Sequence, residues 1–270
     1  MDRFTRAGLT FQVRDEGPPD GETVVLLHGW PQVGSAFDAV VPLLHASGLR
    51  TLVPTQRGYT ATARPRARRA YRTEETAADV VGLLDAAGLA QVHLVGHDWG
   101  GAQAWAVAAW HPERVLSLTA LSTPHPAAMA ASLVTGGQAL RSWYMGLFQL
   151  PVLPELLVGR LLRRSLADIG LPAPYVEAYA RTMAEPGALT GSLNWYRGLP
   201  FSGRPAVGPV RVPTTYVWGK DDPALGRAAA ERTQAYVQAP YRFVELDACH
   251  WLPETRPEDV AEAVLARVGR

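Results

Sequence analysis

Short, continuously apolar runs recur along the chain, each bounded by Gly, Pro or Asp: Thr23–Leu27, Thr51–Pro54, Val92–Val95, Val115–Leu121, Thr214–Trp218 and Arg242–Leu246. Runs of this length that lack a polar face predict strands buried on both sides. Ala- and Leu-rich stretches between most of them predict helices over Glu74–Ala87, Ala102–Trp110, Arg227–Val237 and Pro257–Val268, the last opening on a proline suited to a first turn. Ahead of these, Arg3–Ala7 and Leu9–Asp15 predict a hairpin turning at Gly8. Strands alternating with helices imply a mostly parallel α/β sheet.

The alternation fails once. Between Leu121 and Thr214 strand signals are few and Pro, Gly, Trp and Tyr are frequent. Helical patterns cover Gln138–Leu150, Glu155–Ile169 and Pro174–Met183, joined by Pro-rich turns. A structureless loop of this length does not suit a compact domain, so the segment is expected to be a helical insertion.

Composition narrows the function classes. With 270 residues, 47% hydrophobic and 19% charged, the chain can bury a sizeable core and does not have a disordered composition. Its 26 Lys and Arg against 25 Asp and Glu leave a net charge of +1, which gives no electrostatic ground for a nucleic acid or acidic partner. Against that balance, the basic stretch Arg64–Arg72 reads as a solvated loop. A single cysteine, Cys249, excludes a disulfide framework and Cys-rich metal sites. His93 and His97 lie on a strand running into a turn, so they form no helical metal pair, and no metal site is expected. The first residues have no apolar signal-like region, and no apolar run is long enough to span a bilayer, so the expected setting is cytoplasmic with no membrane partner. Eight tryptophans are more than core packing requires, because each buried indole N–H needs a partner.

The decisive segment is Gly96-His97-Asp98-Trp99-Gly100-Gly101, where a strand ends and a helix begins. Gly-x-Asp-x-Gly has the shape of a nucleophile elbow with Asp in the usual Ser position, a turn sharp enough to push the central side chain above the sheet edge. A helix-capping Asp would produce the same local pattern, so its partners matter. Asp222 follows the strand Thr214–Trp218 and His250 follows Arg242–Leu246, giving the order nucleophile, acid, base at the carboxyl ends of parallel strands. Asp221 competes with Asp222 as the acid. His28-Gly29-Trp30-Pro31 follows the first buried strand, where the backbone N–H of Trp30 can join that of Trp99 as a two-donor oxyanion hole. His28 reads as a brace for that turn.

These residues resemble the α/β-hydrolases and, within them, the epoxide hydrolases, through His28-Gly29-Trp30-Pro31, Gln56-Arg57-Gly58-Tyr59, the Gly96–Gly101 elbow, Trp218–Pro223 and His250–Glu254. The resemblance implies an α/β-hydrolase fold with a mostly parallel eight-stranded sheet, a core of residues 1–126 and 209–270, and a helical cap of residues 127–208. Ser142–Gln149 and Asn194–Arg197 resemble the family segments that carry two ring-opening tyrosines, which fall on Tyr144 and Tyr196. Thr55 and Cys249 depart from the family pattern, which has Asp and Gly there. The implied reaction opens an epoxide to a vicinal diol through an alkyl ester on Asp98, hydrolysed by water that His250 and Asp222 activate, with no cofactor. The implied substrate is small, neutral and mostly apolar, held among Trp30, Trp99, Trp143, Trp195 and Trp251, by a monomer or homodimer.

Two other readings use the same residues. A haloalkane or haloacid dehalogenase shares the Asp–His–Asp chemistry, with Trp99 placed to hold a leaving halide. A non-catalytic α/β-hydrolase-fold receptor would keep the site as a ligand pocket.

Overall fold

The computed structural model describes residues 1–203 and 206–269. Its strands are β1 (Arg3–Arg6), β2 (Leu9–Glu16), β3 (Thr23–Leu27), β4 (Arg50–Pro54), β5 (Val92–His97), β6 (Val115–Leu121), β7 (Thr214–Gly219) and β8 (Tyr241–Leu246). They form one eight-stranded sheet in the order β1-β2-β4-β3-β5-β6-β7-β8. The β1–β2 and β2–β4 pairs are antiparallel, and every later pair is parallel.

Successive strand residues point to opposite faces, and both faces are covered. Val24 and Leu26 of β3 join the cluster that contains Leu44 and Val264, while Val25 and Leu27 join the one that contains Leu83 and Trp105. The helices carrying those residues are α1 (Val41–Ala46), α2 (Thr73–Ala86), α3 (Trp99–Trp110) and, at the end of the chain, Pro257–Val268. Burial on both sides is the reason β3, β5 and β7 have no polar alternation.

The named elements between β6 and β7 are helical among the described residues, apart from an isolated parallel bridge of Val210 with Val237: α4 (Pro126–Thr135), α5 (Gln138–Arg141), α6 (Trp143–Leu147), α7 (Leu153–Asp168), α8 (Ala173–Met183) and α9 (Ala188–Gly198). The core closes with α10 (Arg227–Arg232), α11 (Leu252–Thr255) and α12 (Pro257–Val268).

Three differences from the sequence reading have local causes. The single helix expected over Gln138–Leu150 is broken at Ser142 into α5 and α6. The one expected over Arg227–Val237 stops at Arg232 and tightens into a 3-10 turn, where the Thr233 hydroxyl accepts the His125 N–H and donates to the Ala229 carbonyl. Neither α4 nor α9 was expected. Two glycines, an asparagine and a threonine give α9 poor intrinsic propensity, and burial of almost its whole length holds it helical instead.

Candidate active site

Four loops at the carboxyl ends of β3, β5, β7 and β8 converge on Asp98. This residue stands between β5 and α3 with φ 51° and ψ −120°, a region that non-glycine residues rarely occupy. The tightness of the turn is set by glycines: a Cβ at Gly100 would overlap the Leu27 carbonyl, and one at Gly29 would overlap the Asp98 side chain. Asp98 Oδ1 accepts the Trp30 backbone N–H at 2.7 Å, and Oδ2 lies 3.7 Å from His250 Nε2. Trp99 is the first residue of α3, where backbone N–H groups have no partner within the helix.

His250 Nδ1 donates to Asp222 Oδ2 at 2.7 Å, and Asp222 Oδ1 accepts the backbone N–H groups of Ala224 and Leu225. Asp222 is buried, whereas Asp221 is exposed, so the structure pairs His250 with the former. Burial opposes charge on His250, but Asp222 and Asp98 outweigh it and hold the imidazole well above its ordinary pKa. Burial likewise opposes the Asp98 carboxylate, yet His250 and the Trp30 N–H keep its pKa below the usual value. The pair therefore rests as an anion beside a cation.

His28 braces the turn. Its Nε2 accepts the Gln56 N–H, and full burial pushes its pKa down to about 4, so it stays neutral. A second buried network was not visible in the sequence. Gln32 Oε1 accepts the Gly29 N–H at 2.7 Å and lies 2.7 Å from His97 Nδ1, while Gln32 Nε2 donates to Glu254. Glu254 also accepts the Tyr179 hydroxyl from α8. The only advance signal was the polar glutamine immediately after the Trp30–Pro31 turn.

Two cavities, of about 420 and 300 Å3, meet at the site, and each has Asp98, Tyr144 and Tyr196 in its wall. The Tyr196 ring packs edge-on against Trp99 (4.8 Å between centroids), Phe148 (4.9 Å) and Trp30 (5.7 Å), and Tyr144 lies 6.0 Å away. Burial raises both phenols above their ordinary pKa.

The five tryptophans expected at the substrate are placed differently from one another. Trp30 and Trp251 line the larger cavity and Trp99 the smaller, and the buried Trp251 N–H has no hydrogen-bond partner among the described residues. Trp143 lies at the mouth of the larger cavity and is 68% exposed. Trp195 is set one layer back and lines neither cavity. Its indole donates to the Arg57 carbonyl at 2.7 Å, and its ring backs Trp99, which corrects the expectation that it touches substrate.

Known proteins resemble the chain over nearly its whole length. A family model for the alpha/beta hydrolase fold matches residues 22–257. An AB hydrolase superfamily protein of Bacillus subtilis, YfhM, is 33% identical across 96% of this chain and 94% of its own. Epoxide hydrolase A of Mycobacterium tuberculosis is 30% identical across 96% of this chain and 94% of its own. The crystal structure of Epoxide Hydrolase A from Mycobacterium thermoresistibile superposes with a TM-score of 0.85 at 25% identity, covering 99% of this chain and 97% of that one. Together with the eight-stranded sheet, these likenesses establish that the chain belongs to the α/β-hydrolase family and, within it, to the epoxide hydrolases.

Proposed function

We propose that the protein hydrolyses an epoxide to a vicinal diol, with Asp98 as nucleophile and residues 127–208 as a cap over the site. The observation that carries this reading is the pair of phenols sharing both cavities with the Asp98 carboxylate. Oδ2 of Asp98 attacks a ring carbon, the C–O bond breaks, and the departing oxygen takes a proton from Tyr144 or Tyr196. An alkoxide is far more basic than a phenolate, so the transfer runs downhill even from phenols whose pKa burial has raised. Oδ1, already on the Trp30 N–H, becomes the ester carbonyl oxygen, and the Trp30 and Trp99 N–H groups stabilise the anion that forms when water attacks it.

Charge coupling supplies the order of steps. While Asp98 is anionic it favours a protonated His250. Esterification removes that charge, so the imidazole pKa falls, the proton passes back towards the phenolate, and neutral His250 can deprotonate water. Asp222 then stabilises the imidazolium formed in hydrolysis. Apolar walls fit a small, neutral, mostly apolar epoxide.

A dehalogenase would need indole N–H groups free for a halide. Here the Trp30 indole donates to Ser192 Oγ at 3.1 Å. That contact supports the epoxide reading.

The test uses His250→Gln, which stalls the second step. After incubation with a panel of epoxides and haloalkanes, peptide mass should show an alkyl adduct on Asp98 from an epoxide. An adduct from haloalkanes alone, with free halide, would transfer the assignment to dehalogenation. No adduct on folded protein from either panel would favour a binding role.

A further inference from the structure

The outer face of the insertion differs from the rest of the surface. Residues 126–159 contain two charged side chains, Arg141 and Glu155, and Glu155 is neutralised by a bidentate contact from Arg197. Among the described residues, every exposed large hydrophobic side chain other than Met1, Leu116 and Phe201 lies between Leu133 and Leu161. Val134 is 85% exposed and Leu140 83%, and Val152, Leu156 and Leu161 are each more than half exposed. Soluble surfaces rarely concentrate apolar side chains in this way without a partner.

Four arginines touch or stand on the elements of this face. Arg141 donates to the carbonyls of Asp222 and Pro223, Arg232 to Ser132 of α4, and Arg68 to the Gln149 carbonyl after α6, while Arg160 projects from the exposed side of α7 among Leu156, Leu157 and Leu161. None of the four has a carboxylate within 4.0 Å among the described residues. Within this face, Trp143, Leu157 and Leu161 are exposed and also line the larger cavity, so its mouth opens on the apolar face.

We propose that this face seats the protein on an anionic lipid surface, with the cavity mouth turned towards the bilayer. Apolar side chains enter the headgroup boundary, exposed Trp143 is of the residue type that favours that depth, and the arginines meet lipid phosphates. No helix among the described residues is long and apolar enough to cross a membrane, so the contact is peripheral. A second copy fits the same face poorly. A two-fold contact sets a patch against itself, which would oppose like-charged arginines and close the mouth. An apolar substrate dissolved in the bilayer would enter the cavity without crossing water, although the docking itself does not depend on which substrate that is.

Sedimentation of the full chain with vesicles tests the proposal, using phosphatidylcholine alone and phosphatidylcholine mixed with phosphatidylglycerol. Binding should favour the mixed vesicles and weaken as salt is raised. The double variant Val134→Asp, Leu140→Asp, both outside the cavities, should abolish binding with no change in melting temperature. Arg160→Glu should weaken binding about fivefold or more. No binding to either vesicle, or binding that neither variant changes, overturns the proposal. So would a dimer in analytical ultracentrifugation that Leu140→Asp dissolves in a protein that ignores vesicles, since the face would then join copies of the chain.

Discussion

Asp98 and Tyr196 share the walls of both cavities, yet they are held there by different means. Asp98 sits on backbone: a strand end, a helix start, two glycines that admit close approach, and the Trp30 N–H. His250 and Asp222 stand on loops after neighbouring parallel strands, joined by a 2.7 Å hydrogen bond. Tyr196 instead rides on a helix of poor propensity and is fixed by rings, Trp99, Phe148 and Trp30. The sheet core thus holds one set of groups through its hydrogen-bond ladder, and the insertion holds the other through side-chain packing. Changes in the core should abolish the chemistry, whereas changes in the insertion should grade it.

The largest effect tests that contrast first. Asp98→Ala removes the proposed nucleophile, and a loss on the order of 10⁶ in kcat is expected, as for a nucleophile that acts as one unit with its base. Steady-state turnover checks it. Residual activity within a hundredfold of the parent would mean that another group attacks. Next come the phenols. Tyr144→Phe and Tyr196→Phe should each slow ring opening about tenfold because the other still donates, and the double variant about 10²–10⁴-fold. Single-turnover kinetics should locate the loss in ester formation and leave ester hydrolysis unchanged. Equal slowing of both steps would place the phenols in general packing.

The same division explains what could be read in advance. β3, β5 and β7 were legible because burial on both faces removes polar positions, and the Asp98 elbow because so sharp a turn restricts its flanking residues to glycine. Asp222 and His250 were legible because chain order constrains strand-end residues in this architecture. Helix α9 was not, since packing and not local preference forms it. Trp195 misled because a tryptophan beside a site tyrosine can face either way, and its indole found the Arg57 carbonyl. The Gln32–Glu254 contact joins residues 222 positions apart, beyond any local pattern. The lack of a long apolar run led to the expectation of no membrane partner, an argument that addresses only crossing and not a surface assembled from several short helices.

A third prediction concerns how the insertion is tied together. Arg197, with its side chain 2% exposed, donates to the carbonyls of Phe148 and Leu150 and to both Glu155 oxygens, linking α9, the turn after α6 and α7. Arg197→Met leaves those acceptors without their donor, and a loss of about 3–5 kcal/mol is expected. Hydrogen exchange should show it as lost protection in α6, α7 and α9 while β3 and β5 keep theirs. Uniform loss across the chain would mean that core and insertion unfold as one unit, and the contrast between them would fail.

The smallest effect lies at the seam between the two regions, where Glu254 of α11 meets Tyr179 of α8. Oε1 of Glu254 accepts from Gln32 and Tyr179, but its buried Oε2 has no hydrogen-bond partner among the described residues. Burial pushes the carboxyl pKa up from 4.5 to about 7, against the pull of those two donors. The folded protein therefore holds this proton more tightly than the unfolded chain. Its contribution to stability is fully present below about pH 4.5 and is lost as pH rises through about 7, a change of about 2–3 kcal/mol for a fully buried group. Glu254→Gln keeps the oxygen that Gln32 and Tyr179 address and removes the titration. Urea unfolding at pH 5 and pH 8 should find the variant close to the parent at the lower pH and more stable at the higher. If the parent loses no stability over that interval relative to the variant, Glu254 is not the group that makes the seam sensitive to pH, and the tie between Tyr179 and the Gly29 turn does not depend on its proton.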